Sequence, residues 1–320
     1  MVTGRIGFSM PDARWPDRKQ FAFSIFDDPD SQTFEVGREV YALLRDLGFR
    51  TTKAVWPTRG CREPSDHGIT CADDPAYVDW LLELEHAGFE IGYHNATLHT
   101  STREETLAGL NRFVELFGHN PNSMAHHYFC DENLYWGDFR VSGVHRTLYN
   151  FLTRRKNHNQ FFGHKEGHPY FWGDLCRERI RYVRNFVYGD INTLAACPWM
   201  PYHDPERPYV NYWYASSEGS NINRFLQRVS EPNQDRLEAE GGACIMYTHF
   251  GHGYVDRNRG KLDPGFRRAM ERMARRNGWF VPVETLLDRL RNEKHSQLTD
   301  SARRTLERRW LLHKIRFGTA

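Results

Sequence analysis

Short apolar runs that stop abruptly on polar residues recur along this chain, each followed by apolar positions at helical spacing. The first is Phe21-Ala-Phe-Ser-Ile-Phe26, which ends at Asp27-Asp28-Pro29-Asp30. A run of strand length bounded by such a breaker cluster predicts a buried strand that delivers acids at its end. Val36, Val40, Leu43, Leu44 and Leu47 then follow the helical period until Gly48, and Thr51 to Trp56 reads as a second strand. A Pro-, Gly- and Cys-containing loop, Pro57 to Asp74, leads to a predicted helix near Tyr77 to His86, and Gly88 stops it. The next strand, Phe89-Glu-Ile-Gly-Tyr93, ends at His94. Thr102 before Arg103-Glu104-Glu105 has the form of a capping box and opens a helix to about Phe117.

The pattern returns late in the chain. Ala243-Cys-Ile-Met-Tyr-Thr248 predicts a strand followed directly by His249. Phe266, Ala269, Met270 and Met273 mark a helix, Trp279 to Pro282 a last strand and Val283 to Leu290 a closing helix. Between Pro121 and Asn221 aromatic residues, histidines and glycines interleave without a sustained period, which reads as barrel elements carrying long insertions. Repeated strand-then-helix units argue for a parallel sheet, doubly wound or closed into a barrel. No Gly-x-Gly-x-x-Gly follows the first strand, which counts against a dinucleotide-binding version.

From Glu293 to Ala320 the character changes: this tail has seven Lys or Arg against three Asp or Glu, in a chain whose net charge is only +2. Leu298, Ala302, Leu306, Arg309 and Leu312 or His313 sketch a helical stripe, widened by Trp310 and Ile315. Packing on the domain is the first reading, with a dimer contact and a peripheral membrane contact as rivals. The near balance of charge over the whole chain provides no global field for nucleic acid. No run of eighteen apolar residues and no apolar leader within the first thirty residues are present, so no membrane span is expected and the chain reads as cytoplasmic. Six cysteines without a C-x-x-C pair fit reduced thiols, with Cys61 and Cys71 in one loop as the only pair to watch. The 14% aromatic content means that large rings supply much of the core.

Asp27-Asp28, His94 and His249 each stand where an apolar strand ends, and in a barrel of alternating strands and helices that is the face where active sites sit. Two imidazoles and a carboxylate suit a borderline divalent ion such as zinc and leave positions open for water and substrate. Asp27, next to a ligand Asp28, is placed to accept a proton. His252 between two glycines is an alternative acid, though a loop histidine of this kind is more often merely exposed. His158, His164 and His168 read as surface residues of an aromatic loop. Trp199, Tyr202, Tyr209, Tyr212, Trp213 and Tyr214 are candidates to stack on sugar faces, with core packing expected for at least half.

These residues resemble the signatures of the polysaccharide deacetylases, the NodB-homology carbohydrate esterases. Phe26-Asp27-Asp28-Pro29 is similar to their Thr-Phe-Asp-Asp-Gly, Glu90 to His94 followed by His99 to their His-Ser/Thr-x-x-His, and Ile245 to His249 to their late strand ending in a histidine. The likeness covers roughly Asp17 to Arg291. It implies a distorted, incomplete (β/α) barrel with long loop insertions and a C-terminal helical tail, divided as a catalytic domain over 1–292 and a basic amphipathic tail over 293–320. It implies Asp27 as general base, Asp28, His94 and His99 as metal ligands, and His249 as general acid, with zinc the expected ion. The implied activity is N-deacetylation of an amino sugar bearing an N-acyl group, in an O-antigen- or capsule-like pathway. The rivals are another non-peptide C–N hydrolase and a silent glycan-binding or scaffold protein. Three departures stand out. His94 and His99 are five apart, with Leu98 at position four; Pro29 replaces Gly; and the nearest counterpart of the base-orienting arginine is Ala125-His-His-Tyr-Phe129.

Overall fold

The protein is described by a computed structural model over residues 15–60, 68–256, 259–293 and 297–319. Cys61 lies outside the described residues, so its pairing with Cys71 is not addressed; the five described cysteines are buried free thiols. β1 (Phe21–Asp27) is buried along its whole length, the signature of a parallel strand covered on both faces. It leads to α1 (Phe34–Asp46), β2 (Thr52–Val55), α2 (Pro75–His86), β3 (Glu90–Tyr93), α3 (Arg103–Phe117) and β4 (Ser123–Met124). The middle adds α4 (Gly143–Leu152), α5 (Gly173–Arg179), β5 (Tyr182–Tyr188), α6 (Thr193–Ala196) and β6 (Tyr212–Glu218). Then come α7 (Ile222–Arg228), α8 (Glu231–Ala239), β7 (Ala243–Thr248) and a small hairpin, β8 (Val255–Asp256) with β9 (Lys261–Leu262). The chain ends with α9 (Pro264–Ala274), β10 (Gly278–Phe280), α10 (Val283–Glu293) and α11 (Asp300–Phe317).

Strands β1 to β7 pair in sequence, all parallel, and β1 also pairs with β7 from Ala22↔Ala243 to Asp27↔Thr248, so seven strands close a barrel. β10 sits beside the first half of β1, Phe21↔Gly278 to Phe23↔Phe280, while β2 takes the second half at Phe26↔Thr52 and Asp27↔Lys53. β10 therefore fills the gap at the base of the barrel where β2 has not yet reached β1. The expected capping box is present in both arms: Thr102 accepts from the Glu105 amide, and the Glu105 carboxylate accepts from the Thr102 amide.

Among the elements that periodicity did not find, β5 and β6 bear on the site. Their buried residues include Arg184, Asn185, Ser216, Ser217 and Glu218, so no apolar run announces them. Their register also shifts between Arg184 and Val187, as a bulge would make it. The tail helix α11 packs against α4 and β5. It buries Ala302, Leu306, Trp310 and Leu311, with Trp310 stacked on Tyr149 at 5.6 Å. Leu312 is 59% exposed, so the inward stripe runs through Trp310 and Leu311 rather than Leu312. No described helix is long and apolar enough to cross a membrane.

Candidate metal and acid–base site

The ends of β1, β3, β4 and β7 and a side chain of β5 converge at one mouth of the barrel. Successive residues of an extended chain point to opposite sides, so Asp27 and Asp28 occupy different environments. Asp27 is fully buried and accepts from Gln32 Nε2 (3.0 Å), Tyr41 OH (3.3 Å) and the Phe250 amide (3.0 Å), with the Lys53 ammonium at 3.4 Å. Burial raises its carboxyl above the usual range, although Lys53 and the Phe250 amide pull the other way. It does not line the cavity at the mouth.

Asp28 does line it, and Arg184 of β5 holds it with two parallel bonds, Nη1 to Oδ1 at 3.0 Å and Nη2 to Oδ2 at 2.6 Å. This two-pronged pair fixes the position and orientation of the carboxylate. Arg184 is itself buried, which favours its neutral form, but Asp28 outweighs burial and raises its pKa. The segment 125–129 provides no arginine to these acids; the arginine that grips one of them comes from β5, a strand with no recognisable sequence pattern. His126 is instead buried, with Nε2 accepting from the Leu134 amide at 3.3 Å, and burial pushes its pKa well down. It does not hold Asp27.

Asp30 is the second acid at the mouth. His127 Nε2 lies 3.0 Å from its Oδ1 and His94 Nε2 3.3 Å from its Oδ2. Burial pushes the Asp30 carboxyl up, yet the hydrogen bond from His127, the close approach of His94 and the charges of His127 and His249 prevail and hold it well below the usual range. Burial lowers His94, whereas in His127 the neighbouring Asp30 overcomes burial and raises it. One ligand atom from each of Asp30, His94 and His127 lies within 4.8 Å of the others, and Asp28, Asp30 and His249 form a second such group.

The expected ligand set Asp28, His94 and His99 is not gathered in this way. His99 belongs to neither group and lines the adjoining cleft beside Asp30 and His127. His127, rather than His99, is the histidine that clusters with His94 and Asp30. His249, after β7, points Nδ1 at the Ser220 carbonyl (2.7 Å), and a carbonyl only accepts, so Nδ1 carries the hydrogen. Its Nε2 is 3.2 Å from Tyr247 OH, 3.8 Å from Asp28 and 3.6 Å from Asp30.

The remaining candidates fall elsewhere. His252 lines the cavity with its ring 4.7 Å from that of His249. His158 bonds Asp138, His164 stacks on Tyr135 and His168 on Phe162, all as structural contacts. Tyr202, Trp213 and Tyr214 are core residues, and Trp199, Tyr209 and Tyr212 pack against the core. The aromatic rings at the cavity are Tyr128, Trp136 and Tyr247.

With that geometry described, solved structures offer a comparison. A protein assigned as a polysaccharide deacetylase, from Mycobacterium smegmatis, superposes with a TM-score of 0.50 at 12% identity, over 89% of this chain and 95% of that one. The chain has the polysaccharide deacetylase fold. A protein assigned likewise from Pseudomonas aeruginosa PAO1 gives a TM-score of 0.47 at 13% identity, over 90% of this chain and 96% of that one. Puue allantoinase gives 0.47 at 14%, over 91% and 96%. No protein-family model matches the chain, and no curated protein does.

The polysaccharide deacetylase resemblance implies a divalent ion, and the residues present fit one. Both ring nitrogens of His94 and Oδ2 of Asp30 are buried without a hydrogen-bond partner. Buried polar atoms left in that state are costly, and a cation shared among them removes the cost. One carboxylate and two imidazoles form a donor set suited to zinc and its neighbours, with coordination positions left over.

Proposed function

We propose that this protein is a metal-dependent hydrolase that removes the N-acetyl group from an amino sugar, acting in the cytoplasm in a glycan pathway of O-antigen or capsule type. One observation carries the reading: Asp28, clamped by Arg184, lines a cavity of about 320 Å³ together with Asp30 and His94, which cluster with His127. A divalent ion held by Asp30, His94 and His127 would polarise the acyl carbonyl and lower the pKa of water. Asp28 is then the general base, held and aimed by Arg184. His249 is the general acid: with Nδ1–H fixed on Ser220, its Nε2 faces the cavity and is the atom that donates to the departing nitrogen. Tyr247 OH, 3.2 Å from that Nε2, orients it. The roles thus sit one acid further along the chain than the sequence signature implies, Asp28 for Asp27 and Asp30 for Asp28, with His127 in place of His99. Asp27 ties the acid-bearing loop, through Gln32, to the residue after His249, through Phe250.

Elemental analysis of purified protein tests the assignment. About one first-row ion per chain is expected in the wild type and in His99→Ala, and little or none in Asp30→Ala or His127→Ala. Loss in His99→Ala with retention in His127→Ala would return the ligand role to His99. Acetate released from N-acetylated sugars, measured in parallel, separates deacetylation from hydrolysis of another C–N bond.

A further inference from the structure

Helix α4 leaves an apolar face uncovered. Val144 is 75% exposed, Phe151 80%, Leu148 42% and Leu152 44%, whereas Tyr149 alone is buried. Positions 144, 148, 151 and 152 are spaced three or four apart, so the four side chains form one stripe along the helix. A soluble surface scatters its exposed hydrophobics singly; four aligned on three turns mark a contact surface.

What covers it is indicated by charge. From Phe139 to Lys165 the chain has six Lys or Arg and no Asp or Glu, although the whole protein is nearly neutral. Arg154, Arg155 and Lys156 follow the helix directly and are all exposed. Among the described residues neither Arg154 nor Arg155 makes an ion pair. Both hold left-handed backbone, φ 51° and 58°, a conformation that glycine adopts more easily, yet cations occupy it. An apolar stripe that ends in a cluster of unpaired cations is complementary to a bilayer surface with anionic headgroups: the rings enter the acyl boundary while the guanidinium groups stay among the phosphates. A protein partner would require an acidic rim around an apolar groove, and a second copy would set these cations against their own kind.

We infer that α4 and the turn after it dock this protein on an anionic membrane surface. The sequence placed its basic amphipathic element in the tail, but α11 spends its inward face on α4 and β5 and exposes Leu312 and Ile315 on its other side, whereas the longer stripe of four exposed apolar residues belongs to α4. Lys156 also stands 5.2 Å over the Phe129 ring, and Phe129 lines the cleft that adjoins the mouth of the barrel. The docking face therefore adjoins the route into the cavity. The inference is independent of the chemistry proposed above, since it concerns adsorption rather than turnover.

Co-sedimentation of the full chain with vesicles tests it. Binding is expected to an equal mixture of phosphatidylcholine and phosphatidylglycerol, to weaken with salt, and to be slight on phosphatidylcholine alone. Arg154→Ala/Arg155→Ala should lower the partition coefficient roughly thirtyfold, and Phe151→Asp at least tenfold. Melting curves for these variants should match the wild type, because the side chains changed are on the surface. No binding to either vesicle, or equal binding to both, would overturn the inference. So would sedimentation velocity showing a dimer that Phe151→Asp dissociates, since that would give the face to a second copy.

Discussion

Strand β3 is four residues long, and its two ends carry buried polar groups of opposite kind. Glu90 at the base accepts from Thr52 Oγ1, Ser123 Oγ (2.6 Å) and the Glu284 amide (3.0 Å). His94, just past the other end, has both ring nitrogens buried and neither hydrogen-bonded. Burial is equal, yet one end is satisfied by the fold and the other is not. A satisfied buried group cements a junction of strands; an unsatisfied one among acids and imidazoles is kept for something the chain itself does not supply.

The largest effect expected from that contrast is at the mouth. Asp28→Asn keeps the shape of the carboxylate but removes its basicity, so turnover should fall about a hundred- to ten-thousandfold while the metal content stays at the wild-type level. A fall in metal content would make Asp28 a ligand and blur the division of labour between the two acids.

At the base the readout is stability. Burial, and then the nearby Glu284, push Glu90 up to about 7 from an ordinary 4.5. Its protonated form is therefore favoured in the folded state. That contribution is complete below the unfolded pKa and is lost as pH rises through the folded one. Stability should drop by on the order of 3 kcal/mol between about pH 4.5 and pH 7, then level off with respect to this group. Glu90→Gln should remove that slope in urea denaturation series at several pH values. A slope unchanged in the variant would assign the pH dependence to another carboxylate, such as Glu132, which burial also raises to about 7.

The smallest effect sharpens the comparison at the mouth itself. Thr102 closes the loop that leaves β3, and its capping box is complete. Thr102→Ala should cost about 1 kcal/mol by thermal denaturation and leave metal content untouched. Loss of metal there would mean that the loop after His94 shapes the ligand cluster more directly than the bonds indicate.

Much of this was legible in the sequence, for reasons that can be named. β1, β3 and β7 are apolar runs cut off by Asp27-Asp28, His94 and His249, so the strands and the polar groups after them announced each other. α3 was marked by its cap and α9 by its period. β5 and β6 were not, because Arg184, Asn185, Ser216 and Ser217 interrupt them, and a polar strand lining a barrel interior has no apolar signature. The missed arginine lay in one of those strands. That Asp28 rather than Asp27 lines the cavity was hidden by the two-residue period of an extended chain: two adjacent acids cannot both face the cavity, and sequence does not say which does. Asp30 and His127 were both noticed, as an oddity after Pro29 and within 125–129, but only folding brings them to within 3.0 Å.

The junction of β1 and β7 carries a further implication for how activity arises as the chain folds. The bond from the Phe250 amide to Asp27 spans 223 positions and lies on the seam that closes the barrel. Contacts so distant in sequence are slow to form, since a long loop must be closed before they return anything. His249 meets Asp28 and Asp30 only once that seam is shut. A nascent or partly unfolded chain can thus assemble the Asp30–His94–His127 group, all within its first half, before His249 joins it. Competence would then appear as the last act of folding, and disappear as the first casualty of unzipping.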